Sequence, residues 1–363
     1  MRVALTLEQC WHRVPGGSAT SILRLAEALV ARDDVEVVGV AARHGEPPAP
    51  SFVPPVPVAH LPLPRLALYE AWHALRRPRV EAATGPVDLV HATAVAVPGS
   101  RAPLVVTVHD LAFRAEPGHA TRHGLRFFRR GTELTRRHAR LVLVPSEASA
   151  RECEEAGIGR DRLRVVPWGV TPQVVTEAQR SDVRARHRLE RPYVLFVGTV
   201  EPRKNLPRVV EAVAALDRPD VELVLVGAEG WNEDLGALLA RLPGRVRALG
   251  FLPPDDLAPL YEEAAAVAYP SLREGFGLPV LEAMAQGAPV VTSAGTATEE
   301  VAGDAAVLVE PTSVDAIAAG LEGLLADPAA AASLGRRARD RAAGFTWART
   351  AEQTVAAYRE ALT

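Results

Sequence analysis

Two series of short Val- and Leu-rich runs, each run separated from the next by a longer amphipathic stretch, dominate the sequence. The first series occupies residues 2–7, 35–40, 87–91, 104–108, 141–144 and 163–166. After a polar stretch at 176–190 the pattern restarts at 193–197, 221–226, 246–249, 266–269 and 289–292. A strand that is apolar at every position is buried on both faces, which is how a parallel sheet sits between two layers of helices. Two such series predict two doubly wound α/β domains. The boundary is expected near 170–191, giving an N-terminal domain over 1–172 and a second over 173–346. A final helical stretch, 347–363, could return to the first domain. The segment 47–64 carries eight prolines in eighteen residues. That density excludes a regular helix or a central strand and predicts a surface loop.

In open α/β sheets ligands bind beyond the carboxyl ends of the strands, so the residues just after each run are the candidates for chemistry. One of these loops is singled out by composition. The 41 basic side chains comprise 40 Arg and one Lys, Lys204, and the only asparagines are Asn205 and Asn232. Any lysine chemistry therefore uses Lys204 or does not occur. Lys204 lies between Arg203 and Asn205, so there is no P-loop, which needs Gly-Lys-Ser/Thr. A pyridoxal-phosphate Schiff base would have to use the same residue. The loop itself reads GTVEPRKN, from Gly198 to Asn205, directly after the run 193–197. Forked donors from Arg203, a point charge from Lys204 and an Asn-capped helix start would make an anion site. An exposed basic turn is the alternative reading.

The second loop reads PSLREGFGLPVLEAMA and runs from 270 to 285. Glu274 and Glu282 have seven residues between them, and the turn at Gly275, Phe276 and Gly277 exposes backbone N–H groups. Pro279 suits a first helical turn, which puts Glu282 near a helix start. A carboxylate there can accept two hydrogen bonds from a vicinal diol such as a ribose, and Glu274 can face a sugar. Two solvated glutamates around a glycine turn would look the same. His109, after the run 104–108, could donate to a substrate hydroxyl or act as a general base. The sequence PGGS at 15–18, with Gly16 and Gly17, permits close backbone approach to a phosphate. Neither of these two signals is specific by itself.

Several classes have no support. There is no Asp-x-Asp for a metal–diphosphate, no HExxH and no Gly-x-Ser-x-Gly. Cys10 and Cys153 form no CxxC pair and read as reduced thiols. No apolar run approaches the roughly 18 residues of a spanning helix, and the apolar stretch at the N-terminus is too short for a signal peptide. A cytoplasmic protein is expected. Net charge is −3 but unevenly split, with 22 basic and 17 acidic residues in 1–172 against 19 and 27 in 173–363. Such asymmetry fits two domains with different partners. The stretch 122–140 holds Arg122, Arg126, Arg129, Arg130, Arg136, Arg137 and Arg140 against one acid, Glu133, with Phe127 and Phe128 in the middle. It reads as a solvated basic face or as a peripheral contact with an anionic membrane.

The strings VGTVEPRKN, LGFLPPDDLAPLYEEA, YPSLREGFGLPVLEAMAQGAPVVTS and FTWARTAEQTVAAYRE together resemble glycosyltransferase family 4. VVTVHDLAF, LVPSEASA and VVPWGV in the first half also resemble it, so the likeness covers nearly the whole chain. The EPRKN start resembles the subgroup of O-antigen mannosyltransferases that use GDP-mannose. The resemblance implies a GT-B architecture, two Rossmann-like domains facing across a cleft, and a retaining transferase that needs no metal and no cofactor. The partners it implies are a nucleotide-sugar donor and a glycan or lipid-linked acceptor, and no nucleic acid. Carried onto this chain, Arg203 and Lys204, in the loop that starts at Gly198, would bind the donor diphosphate. Glu282 would bind the ribose. Glu274 and the backbone of Gly275, Phe276, Gly277 and Leu278 would hold the transferred sugar. His109 would contact that sugar from the first domain, Gly16 and Gly17 would approach the phosphate, and Phe251 and Leu252 would lie near the base. The subgroup commonly has Pro where this chain has Glu299, so Glu300 is a weaker contact. A UDP-glucose or UDP-N-acetylglucosamine donor, and an epimerase of the same fold, stay open at this point.

Overall fold

A computed structural model describes residues 1–12, 16–115, 121–227 and 235–363. Pro15 of the PGGS loop lies outside them. The chain divides into two compact units, Met1–Gly169 with Thr346–Thr363, and Val170–Phe345. The division falls at Gly169/Val170, three residues before the expected 172/173.

The first unit holds a seven-stranded, all-parallel sheet. Its strands are β1 (Arg2–Thr6), β2 (Glu36–Ala41), β3 (Val58–His60), β4 (Leu89–Ala92), β5 (Leu104–Thr107), β6 (Leu141–Val144) and β7 (Leu163–Val165), in the order β3-β2-β1-β4-β5-β6-β7. The second unit holds six parallel strands. These are β8 (Tyr193–Val197), β9 (Glu222–Val226), β10 (Val246–Ala248), β11 (Ala266–Tyr269), β12 (Val290–Ser293) and β13 (Val307–Val309), in the order β10-β9-β8-β11-β12-β13. Every residue of β4, β5, β6, β8, β9, β11 and β12 is buried or nearly so, as their unbroken apolar character requires. In both sheets the order reverses beside the first strand, between β1 and β4 and between β8 and β11. These are the switch points at which a doubly wound sheet opens a crevice for ligands.

Two strands were not legible in the sequence. Both β3 and β13 are three residues long and lie at the outer edge of their sheets. β3 falls inside the proline-rich segment, which also makes a short 3-10 turn at Pro50–Phe52. Proline lacks the N–H that a central strand needs, and an edge strand can dispense with it. The polar stretch before β8 is a helix, Glu177–His187, closed by a capping box between Thr176 and Gln179. Only Val183 is buried on it, so it has no apolar stripe to reveal it.

The last helix, Trp347–Leu362, belongs to the first unit. Its Ala351, Val355, Tyr358 and Ala361 pack on Val3, Leu25, Leu29, Val105 and Leu141. Burying Val355 alone contributes roughly 1.5–2 kcal/mol. The Tyr358 hydroxyl lies 2.6 Å from His91 Nδ1, whose Nε2 lies 2.7 Å from Thr107 Oγ1. Helix and sheet are thereby joined by a fully buried polar chain.

Candidate active site

The two loops singled out by sequence follow β8 and β11, adjacent strands at the switch point of the second sheet. After β8 the chain makes a one-turn 3-10 helix, Pro202–Lys204, and then the helix Leu206–Ala215. Asn205 joins them in the left-handed conformation (φ 65°), which asparagine tolerates better than most residues. It does not cap the helix as expected. Its amide instead donates to Pro270 O at 2.8 Å and Pro311 O at 2.7 Å. Asn205, 1 % exposed, thus fastens the β8 loop to the β11 loop. Leu272 N donates to Arg203 O at 2.8 Å as a second tie.

These ties bring Arg203, Lys204 and Glu274 together. Glu274 Oε2 accepts from Arg203 Nη1 at 2.9 Å. Its Oε1 accepts from Lys204 Nζ at 2.6 Å, Tyr269 OH at 2.9 Å and Ser271 Oγ at 3.0 Å. Lys204 Nζ also bonds the Tyr269 hydroxyl, and Arg203 Nε donates to Glu201 Oε2 at 2.9 Å. Burial pushes the Glu274 carboxyl up, but Lys204, Arg203 and the Tyr269 hydrogen bond outweigh it and hold it at about 2. Burial pulls the Lys204 ammonium below its usual range, Arg203 adds to this, and Glu274 opposes it. The two cations are therefore not bare: Glu201 and Glu274 balance them. An incoming anion must share or displace Glu274, and a carboxylate released in this way is free to meet a hydroxyl.

The chain then turns through Gly275, Phe276 and Gly277 into the helix Leu278–Ala285. Gly277 has φ 103°, and a Cβ there would lie 2.7 Å from Thr298 Cγ2, so only glycine fits. No side chain caps the helix start; Pro279 has no N–H and Val280 N and Leu281 N donate to Gly277 O, which leaves the Leu278 N–H of the first turn to face an anion. Phe276 is buried, 6.2 Å from Phe345 in a T-shaped pair, so only its backbone can serve a ligand. Glu282, one turn on, is partly exposed, yet the packing around its carboxyl is dense enough that burial pushes it up to about 7. The Tyr261 hydroxyl, 3.3 Å away, opposes that shift.

Gly198 packs beside the Lys204 stem, where a Cβ would meet Cδ at 3.7 Å. Phe251 (73 % exposed) and Leu252 follow β10, three strands over from β11. Glu299 accepts from Gly295 N at 2.5 Å, so the residue that replaces the subgroup's proline holds its turn by a hydrogen bond. Glu300 is partly buried beside it. In the first unit, Gly16 and Gly17 are exposed and open the helix Gly16–Val30. His109 Nε2 lies 2.8 Å from Thr93 O and donates to it. Its Nδ1 is buried without a hydrogen-bond partner, and burial lowers its pKa. As placed, the imidazole is neutral and its one proton is committed to Thr93.

Sequence reasoning missed Glu201, Tyr261, Tyr269 and Ser271. The available signal was two tyrosines in otherwise aliphatic segments, where a buried hydroxyl needs a partner. On the helix Arg122–His138, Phe127 packs inward on Tyr69 and His73, leaving Phe128 as the partly exposed ring. Among the described residues, no group of three or more His, Cys, Asp or Glu is placed to hold a metal ion.

The description "Glycosyltransferase Family 4" matches residues 15–174, and "Glycosyl transferases group 1" matches residues 178–341. The O-antigen chain mannosyltransferase B of Escherichia coli is 33 % identical over 265 residues, 70 % of each chain. The chain belongs to glycosyltransferase family 4. A second relative, the D-inositol 3-phosphate glycosyltransferase of Nocardiopsis dassonvillei, is 30 % identical over 95 % of this chain and 89 % of its own. The crystal structure of Anabaena HepE in complex with UDP and glucose superposes with a TM-score of 0.77 at 21 % identity, over 99 % of this chain and all of that one. At that identity the likeness shows the fold, a GT-B arrangement of two Rossmann-like units. The chain is accordingly a glycosyltransferase, and the charged loops of its second unit lie inside the group 1 match.

Proposed function

We propose that this family 4 enzyme is a retaining, metal-independent hexosyltransferase that moves mannose from GDP-mannose to a glycan or lipid-linked acceptor. The observation that carries this reading is the Arg203–Lys204–Glu274 cluster beside an uncapped helix start. Breaking the sugar–phosphate bond leaves negative charge on the diphosphate. Arg203, Lys204 and the Leu278 N–H stabilise that charge more in the transition state than in the ground state. This supplies the role a metal plays elsewhere, and no cofactor enters the scheme. As the diphosphate takes over the two cations, Glu274 turns to the hexose hydroxyls, with the Gly275–Gly277 backbone beside them. Glu282 accepts from the ribose diol, and Phe251 and Leu252 border the base. Gly16 and Gly17 approach the phosphate, and His109 contacts the hexose. The departing phosphate takes the acceptor's proton on the same face. Mannose is favoured by the EPRKN loop and by the mannosyltransferase activity for which the Escherichia coli relative is named.

The acceptor side suggests a membrane surface. Among the described residues no single helix is long and apolar enough to cross a membrane. On the helix Arg122–His138, Arg122 and Arg129 are exposed and pair with no carboxylate among the described residues, and Phe128 is partly exposed. The neighbouring helix Arg65–Leu75 exposes Leu66 and Leu75. Exposed basic and apolar groups on neighbouring helices suit peripheral binding to anionic lipid at the cytoplasmic leaflet. Failure to bind anionic vesicles at low salt removes that part of the reading.

The test of function is a donor panel (GDP-mannose, UDP-glucose, UDP-N-acetylglucosamine, ADP-glucose) read by thermal stabilisation in EDTA. GDP-mannose is expected to stabilise most. Preference for a UDP-sugar replaces the donor assignment. Turnover of the nucleotide sugar without any acceptor points to an epimerase.

A further inference from the structure

A pocket in the first unit plays no part in the scheme above. It lies beyond the carboxyl ends of β1 and β2, has a volume of about 370 Å³, and is lined by Cys10, Trp11 and His12 together with residues 44–49. The second of these segments opens the proline-rich stretch, where Pro47 and Pro48 stiffen the backbone before any ligand arrives. The Trp11 and His44 rings stack at 4.7 Å, 7° from parallel, and His60 meets Trp11 edge-on at 5.7 Å. Trp11 Nε1 donates to Glu46 O at 3.1 Å. Glu8, 2 % exposed, supports the stack from below. Its Oε2 accepts from Ala42 N at 2.7 Å, and its Oε1 lies 2.9 Å from His44 Nε2. His12 Nε2 is buried with no hydrogen-bond partner. Burial, helped by Arg65 and His44, holds that imidazole down at about 4, so it is neutral at pH 7.

The lining offers aromatic surface, a neutral ring nitrogen, backbone groups and one carboxylate, Glu46, and it includes no Arg or Lys. The Glu46 charge disfavours a phosphate there. A hexose presents apolar C–H faces and hydroxyls that donate and accept, which is what such a lining matches. We propose that this pocket holds a neutral sugar ring of the acceptor glycan, with the Trp11–His44 stack as its wall and His12 Nε2 as a hydrogen-bond partner. The assignment rests on the glycosyl-transfer reading and names the class of acceptor for it.

The test is saturation-transfer NMR on the full chain with methyl α-D-mannopyranoside, with inorganic phosphate and mannose 6-phosphate as competitors. The neutral sugar is expected to bind. His12→Ala and Gly45→Phe should each weaken it about tenfold. Gly45 lines the pocket, and a Cβ there meets no atom within 4 Å, so the second variant fills space without disturbing the fold. Melting by circular dichroism checks that both variants are folded. Absence of saturation transfer overturns the proposal. So does equal binding by wild type and both variants, and so does displacement of the sugar by inorganic phosphate. A donor panel in which no nucleotide sugar stabilises the chain removes the transfer reading and leaves this sugar binding in place. Donor binding without sugar binding removes the pocket assignment alone.

Discussion

Glu274→Gln keeps the shape of the side chain and removes its charge. In the wild type, burial raises the carboxyl pKa, and Lys204 and Arg203 more than reverse this, from an ordinary 4.5 to about 2. That displacement corresponds to roughly 3 kcal/mol of stability at neutral pH. The side chain is 8 % exposed, so water screens little of it. Gln still offers one acceptor oxygen, but Lys204, 7 % exposed, loses its counter-charge. Removing one partner of a buried pair costs roughly 3–5 kcal/mol, so a loss of about 3 kcal/mol is expected at pH 7. The assay is urea unfolding followed by circular dichroism from pH 7 to pH 2. A carboxyl with a depressed folded-state pKa contributes its stability above the unfolded value of 4.5 and loses it as pH falls toward 2. The wild-type curve should therefore descend through that window, the variant should lack this component, and the two should converge near pH 2. Parallel curves, or a variant within about 0.5 kcal/mol of wild type at pH 7, would refute the charge-network argument.

Lys204→Ala and Arg203→Ala should each lower turnover by roughly 10²–10³, as loss of an oxyanion donor does, and near-normal turnover in both would remove the diphosphate assignment. Glu282 has its pKa raised by burial to about 7, so the stability it contributes below pH 4.5 is lost as pH rises through 7. Glu282→Gln should flatten that part of the unfolding profile, and it should also abolish a fall in donor KM between pH 6 and 8 if the carboxylate form binds the ribose. Gly277→Ala places a Cβ at φ 103° and 2.7 Å from Thr298 Cγ2, which costs roughly 1–3 kcal/mol. Thr298→Ser in the same chain should recover the steric part, as read from melting midpoints.

Both sheets and the two charged loops were legible because continuous apolar runs and a Glu-x7-Glu spacing are local signals. The edge strand β3 was not, since prolines flank it on both sides, and the short apolar run of β13 was not singled out. The pairing within the site was not legible either. Glu274 lies some 70 residues from Arg203 and Lys204 in sequence, and only the register of β8 against β11 brings them into contact. The sequence marked Lys204 as unusual and suggested two cations awaiting an anion. In the folded chain those cations already have carboxylate partners, so the donor must compete with Glu274. Asn205 shows the same limit: its rarity pointed to importance, its position suggested a helix cap, and its actual partners are carbonyls 65 and 106 residues away.

The most direct test of the account is a calorimetric titration, in EDTA, of the best-stabilising nucleoside diphosphate and its monophosphate against wild type and Lys204→Ala. The account predicts that wild type binds the diphosphate at least about tenfold more tightly and that the difference collapses in the variant. Equal affinity for the two nucleotides, or undiminished diphosphate binding by Lys204→Ala, would contradict it.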